Sequence, residues 1–181
     1  MSFHVSKKKL FTMVAGWIFV LFVLASFVLL HLKYYTVDVV DKAPVLPYKQ
    51  YDYMTTEITE YKIEQQSDYV PAYFRTNFAS IPQFLWFFDA PYKSEFVYAS
   101  IWHDYRYSCP NGLERKDIDD IFYSLLIAEN AGTFKAAKMY LAVRLFGDSH
   151  FYNGICDEVI YKEMEDDEVF YTKEANNGRE V

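Results

Sequence analysis

Residues Leu10 to Leu32 form one apolar run, broken only by Thr12, Gly16, Ser26 and His31. A helix of about 20 apolar residues spans a bilayer, so this run predicts a transmembrane helix. Tyr34 to Gln50, with Pro44 and Pro47, reads as an extended linker leading away from the membrane. Tyr51 to Ile63 then alternates. Tyr53, Thr55, Glu57, Thr59, Tyr61 and Ile63 share one parity, and the richness in Thr and Tyr predicts one or two strands. Tyr69 to Phe74 is a further short extended piece, and Thr76 to Pro82 reads as a loop. The aromatic run Gln83 to Phe88 reads as a short helix or turn packed on the core.

Three helices are predicted next. The first covers about Ser94 to Tyr107. Val97, Tyr98, Ile101 and Tyr105 form one stripe, and Phe96, Ser100, His103 and Tyr107 form another on the other side. A helix apolar on both sides is buried, which places His103 inside. Ser108-Cys109-Pro110-Asn111-Gly112 stops it by turn chemistry. The second helix covers about Arg115 to Asn130, with Ile118, Ile121, Phe122, Leu125 and Leu126 as its apolar face. Asp119 falls at the edge of that face and Asp120 points away. Ala131-Gly132 ends this helix. The third runs from Thr133, read as its N-cap, to Phe146, with Gly147 as the stop.

Charge sets the topology. Lys7, Lys8 and Lys9 precede the apolar run and only Lys33 follows it, so the positive-inside rule puts the N-terminus in the cytoplasm. A cleaved signal peptide is the alternative, but its core runs only about 7–15 residues and ends in small residues, unlike Leu29 to Tyr35 here. Four of the 18 basic residues and none of the 25 acidic ones lie in residues 1–33. The rest therefore carries 14 basic against 25 acidic residues, a net of −11. Such a domain is a poor nucleic-acid binder and is repelled by anionic headgroups unless a cation or a basic patch intervenes. Cys109 and Cys156 form one disulfide outside the cytoplasm or remain two free thiols; spacing does not decide.

His103 carries most of the chemical argument. It stands in Ile101-Trp102-His103-Asp104-Tyr105-Arg106-Tyr107, sixteen residues before Asp119. A short loop brings the second helix back past the first, so Asp119 is expected within hydrogen-bond reach of one ring nitrogen, leaving the other as a base. Asp104 lies about 100° around the helix and is placed to bind a hard cation. The bland alternative is that these three residues and tyrosine hydroxyls satisfy one another in a polar core. Other schemes are poorly supplied. His4, His31 and His150 lie in the leader, at the end of the apolar run and after the third helix. There is no Gly-x-Ser-x-Gly elbow, phosphate loop, Cys-x-x-Cys pair or zinc-spaced cluster. Ser80 reads as a turn serine.

Four segments carry a resemblance: Arg75-Thr76-Asn77-Phe78-Ala79-Ser80-Ile81-Pro82, the His103 segment, Ile118-Asp119-Asp120-Ile121-Phe122, and Met139 to Gly147 with Val143-Arg144-Leu145-Phe146-Gly147. In this order they resemble a small phage and prophage family known only as a domain of unknown function, over about Tyr69 to Gly147. A weaker similarity is to bacterial phospholipases A2, in His103-Asp104-x-x-Tyr107 and Asp119 before Phe122-Tyr123. That resemblance implies His103 activating water, Asp119 orienting it, and Asp104 holding Ca2+ with Asn77. Asn77 stands where the first family has aspartate, a neutral oxygen and a weaker ligand. The glycine-rich calcium loop and the disulfide framework of secreted phospholipases are missing.

The expected architecture is α+β: a transmembrane helix, a small β-region and a three-helix core. The expected divisions are a cytoplasmic leader 1–9, a signal anchor 10–32, a linker 33–50, an exported domain 51–157 and an acidic, partly disordered tail 158–181. The expected location is the bacterial inner membrane, single pass, with the domain periplasmic. Two functions compete. One is a calcium-assisted hydrolase of phospholipid or another envelope ester. The other is a non-enzymatic envelope protein binding a partner, with the motifs as scaffold. An enzyme needs His103 to open onto solvent beside an apolar groove; a His103 sealed by Trp102, Phe122 and tyrosines favours the second.

Overall fold

The computed structural model describes residues 7–49, 52–76 and 95–152. Asn77, Ser80, the aromatic run 83–88, Cys156 and the tail 158–181 lie outside these residues. The chain divides into two units, residues 1–32 and 33–181. The first contains α1 (Lys7–Leu30). Its Leu10–Leu30 segment is long and apolar enough to cross a membrane, a test that a signal sequence also passes. Just past the end of α1 the His31 ring meets the Phe27 carbonyl at 2.8 Å through Nδ1.

The second unit is α+β. It contains β1 (Val37–Asp41), β2 (Val45–Lys49), β3 (Asp52–Thr55), β4 (Thr59–Ile63), β5 (Gln66–Val70) and β6 (Arg75–Thr76), then α2 (Val97–Ser108), α3 (Arg115–Ala128) and α4 (Thr133–Phe146). Two antiparallel three-stranded sheets form, in the orders β1-β4-β5 and β2-β3-β6. The segment expected to be a linker is therefore part of the fold. β1 pairs with β4 and β2 with β3. The misreading has a simple cause. Pro47 sits in edge strand β2, where a missing N–H removes no essential ladder bond.

In the first sheet Val39, Tyr61 and Asp68 lie side by side across the three strands. Val39 and Tyr61 are buried, so this row faces inward and carries Asp68 with it. Asp68 Oδ2 accepts from Trp102 Nε1 at 2.8 Å and from Arg106 Nε at 3.0 Å, and Arg106 Nη2 closes a second contact on Oδ1. This bidentate pair ties β5 to α2, and Tyr61 adds a bond from its hydroxyl to the Tyr98 carbonyl at 2.8 Å.

The helix boundaries follow local chemistry. Asn111 and Gly112 both have positive φ, and the Leu113 N–H reaches the Pro110 carbonyl at 3.0 Å; an Asn-Gly pair suits such a turn. Cys109, at the end of α2, is buried and disulfide-bonded. α3 ends earlier than Gly132: Asn130 takes the left-handed position, and the Ala131 N–H bonds the Leu126 carbonyl at 2.9 Å. That leaves Gly132, with φ 78°, as the N-cap of α4, so Thr133 is the first helical residue instead of the cap. After Phe146 the chain continues in a 3-10 turn, Gly147–His150.

The Asp68→Ala variant is expected to lose about 3 kcal/mol, the low end for breaking a buried pair because Asp68 is partly exposed. It strands Arg106 and the Trp102 N–H together. Urea unfolding checks this: a midpoint unchanged from wild type would show that the pair contributes nothing.

Candidate functional site

α3 packs against α2, α4 and β1, and every residue from Ile118 to Leu126 is buried. A helix enclosed on all sides is normally apolar throughout. Here it carries Asp119 and Asp120, both 0% exposed. A buried carboxylate is tolerated only where hydrogen bonds and cations replace its water.

Asp119 obtains them from three directions. His103 Nε2 lies 2.8 Å from Oδ1, and the Tyr107 hydroxyl donates to the same oxygen at 2.7 Å. These two residues stand four apart on α2 and therefore share a face. On the other oxygen, Arg144 Nη1 of α4 donates to Oδ2 at 2.7 Å, with Arg115 Nη1 at 3.8 Å. Arg115 also donates to the Val143 and Arg144 carbonyls at 3.2 and 3.4 Å. It thereby closes the C-terminal end of α4, where carbonyls lack helical partners.

Gly147 makes this geometry possible by its size. Its φ of −77° is ordinary. A Cβ there would sit 2.7 Å from the Tyr107 hydroxyl oxygen and 3.1 Å from the ring.

Asp120 is buried too, contrary to the expectation that it points away. Tyr140 donates to its Oδ1 at 2.7 Å, while Lys116 Nζ and the Lys33 N–H meet Oδ2 at 2.5 and 3.1 Å. The segment before β1 covers that side of α3: the Tyr35 N–H bonds Ser124 Oγ at 3.0 Å, and its hydroxyl donates to Asp117 at 2.9 Å. Helical periodicity does not show this cover, because it comes from residues more than 80 positions away.

The electrostatics follow from these contacts. Burial pushes the Asp119 carboxyl upward, but bonds from His103, Arg144 and Tyr107 outweigh it and hold the group below its usual range. An ionised carboxylate only accepts, so the proton on this bond belongs to His103 Nε2, and Nδ1 is left as the basic nitrogen. Burial and the neighbouring Asp119 charge push the Tyr107 phenol upward. Burial and Asp120 do the same for Tyr140. Burial disfavours the charged form of Arg144, yet its bond to Asp119 raises it further.

The expected His103–Asp119 pair is thus in place, but enclosed. His103 is 1% exposed. Its ring lies 4.0 Å from Tyr107 and 4.5 Å from Phe122, between centroids. Asp104 is half-buried and accepts from Thr76 Oγ1 at 2.5 Å. Asn77, the expected second ligand, lies outside the described residues. Among the described residues, no group of three or more His, Cys, Asp or Glu is arranged to hold a metal ion.

The sequence placed Tyr107 on the His103 stripe and allowed tyrosine hydroxyls as partners, but it did not show Arg144, Arg115 or the Asp120–Tyr140 bond as parts of one cluster. A signal was present: Tyr140 and Arg144 stand four apart on α4, as His103 and Tyr107 do on α2. Each pair reaches the buried carboxylates of α3.

Residues 54–143 match the model of a family described as protein of unknown function, DUF1353. The chain carries a DUF1353 domain over those residues. No curated protein and no solved structure matches the chain. The DUF1353 match begins in β3 and ends in α4. It includes His103, Tyr107, Asp119, Asp120 and Tyr140, and stops one residue before Arg144.

Two outcomes are expected of this cluster. A carboxyl held below its unfolded value near 3.9 contributes stability that is complete above that value and lost as pH falls through the folded one. Acid unfolding should therefore steepen below about pH 4, and Asp119→Asn should be less stable at pH 7 with a shallower acid slope. Equal slopes would remove Asp119 from the acid response. Gly147→Ala should cost about 1–3 kcal/mol by overpacking, less in a Tyr107→Phe background because the clashing oxygen is gone. A double-mutant cycle reads this as non-additivity; strict additivity would refute the contact.

Proposed function

We propose that the chain is a single-pass protein of the bacterial inner membrane, its N-terminus cytoplasmic and its DUF1353 domain periplasmic. The domain acts there as a non-enzymatic envelope or interaction module, and the His103–Asp119 cluster is its structural centre. The lysines before α1 support the topology. The four-motif resemblance supports a phage or prophage source.

One observation carries the non-enzymatic reading: His103 is 1% exposed between two aromatic rings. A general base must come within hydrogen-bond reach of the proton it removes. Charge supports the same reading. Arg144 donates to Asp119 Oδ2 at 2.7 Å, so the carboxylate already has a cationic partner other than His103. Tyr107 occupies the remaining capacity of Oδ1 beside His103.

A second reading, the calcium-assisted lipid or ester hydrolase, keeps one observation in its favour. The 2.8 Å His103–Asp119 bond is the arrangement of a base and its orienting acid.

The full chain in mixed micelles with phosphatidylcholine and calcium distinguishes the two. No fatty-acid release above background is expected, and His103→Ala should change stability alone. Calcium-dependent release that Asp119→Asn abolishes while the protein stays folded would overturn the non-enzymatic reading. Topology is tested separately: protease added to spheroplasts should digest the tail beyond Glu158, and full protection would reverse the proposed orientation.

A further inference from the structure

The faces of α4 do not balance. Ala136, Met139, Tyr140 and Val143 are buried against the domain. On the opposite side Phe134, Lys138, Leu141 and Leu145 recur at spacings of four, three and four, one continuous helical stripe. Phe134 is 77% exposed and Leu145 61%, with Leu141 between them half-buried. Isolated exposed hydrophobics are ordinary, but a stripe along one helix face marks a contact surface.

We infer that this outer face of α4 lies on the lipid bilayer, with Phe134, Leu141 and Leu145 entering the interfacial region. The inference rests on the membrane-anchored reading above. Three observations select lipid as the occupant. First, α1 ends at Leu30 and the domain is ordered from Lys33, whose N–H binds Asp120. Only two residues separate the end of α1 from Lys33, so with α1 in a membrane the connecting chain keeps the domain within reach of the bilayer. Second, α4 carries no acid, and while Arg144 turns inward to Asp119 and Lys135 pairs with Glu95, Lys138 stands on the outer stripe itself. In a region of net −11, a helix face without acids is one that anionic headgroups do not repel. Third, Lys138 sits within the apolar stripe, its ammonium 5.1 Å from the Phe134 ring centre. A lysine there can lay its stem along the apolar surface and lift its charge to the headgroups.

The test uses the full chain in phosphatidylcholine–phosphatidylglycerol vesicles. An environment-sensitive dye is attached at Leu145→Cys, and in a second protein at Ile58→Cys, an exposed position in the turn between β3 and β4. The dye at 145 should shift to the blue and lose intensity to lipid-borne quenchers; the dye at 58 should do neither. Phe134→Asp in the Leu145→Cys protein should abolish both effects with the thermal transition retained. Vesicle flotation separates the two failures. A chain that does not float has lost the membrane anchor and the reading beneath this inference. A chain that floats with an unquenched dye at 145 overturns the inference alone. A dye shielded without lipid quenching, with a dimeric mass, assigns the face to a second copy and overturns it as well.

Discussion

Two adjacent carboxylates at zero exposure, Asp119 and Asp120, impose the constraint on which the rest of this domain depends. Neighbouring helical residues point about 100° apart, so no single partner serves both. Asp119 draws on α2 through His103 and Tyr107 and on α4 through Arg144. Asp120 draws on α4 through Tyr140 and on the segment before β1 through the Lys33 N–H. Each acid thus holds two other parts of the chain in register with α3. Removing one partner leaves the others as buried, unpaired groups, so the cluster is strongly interdependent.

The same constraint bears on chemistry. A His–Asp pair becomes a catalytic base where the imidazole has a free face and the acid's charge is available to the imidazolium. Here the ring is buried against Tyr107 and Phe122, and a guanidinium pairs with the acid. Aromatic contacts and the Arg144 ion pair are the features on which the proposed structural role of this cluster rests. Burial and neighbouring charge also keep the Tyr107 and Tyr140 phenols protonated, so both remain donors to the carboxylates.

The sheets extend this logic to the other side of α2. Asp68 occupies an inward position of β5 because it shares a row with Val39 and Tyr61. Arg106 and Trp102 turn that polar residue into a joint between strand and helix. The helical core and the β-region are therefore fastened by the same device, a carboxylate on one element satisfied by donors from another. A net charge of −11 beyond residue 33 is compatible with a compact fold because several of its acids are spent inside it.

Some of this was legible in the chain by itself. The apolar run 10–32, the three helices and the inward placement of His103 depend on periodicity and on turn residues such as Asn111-Gly112, which act over a few positions. The His103–Asp119 contact was legible because a short loop forces α2 and α3 to be neighbours. What lay beyond reach came from distant segments. Residues 37–49 form strands because β3 and β4 offer them partners, although their own composition reads as a linker. Asp120 is buried because residues 33–35 cover it, and Arg144 binds Asp119 because α4 folds back across α3. Local pattern determines which residues can be inside; only the tertiary structure decides which buried charges meet, because burial and ion pairing depend on surfaces the chain brings together from far apart.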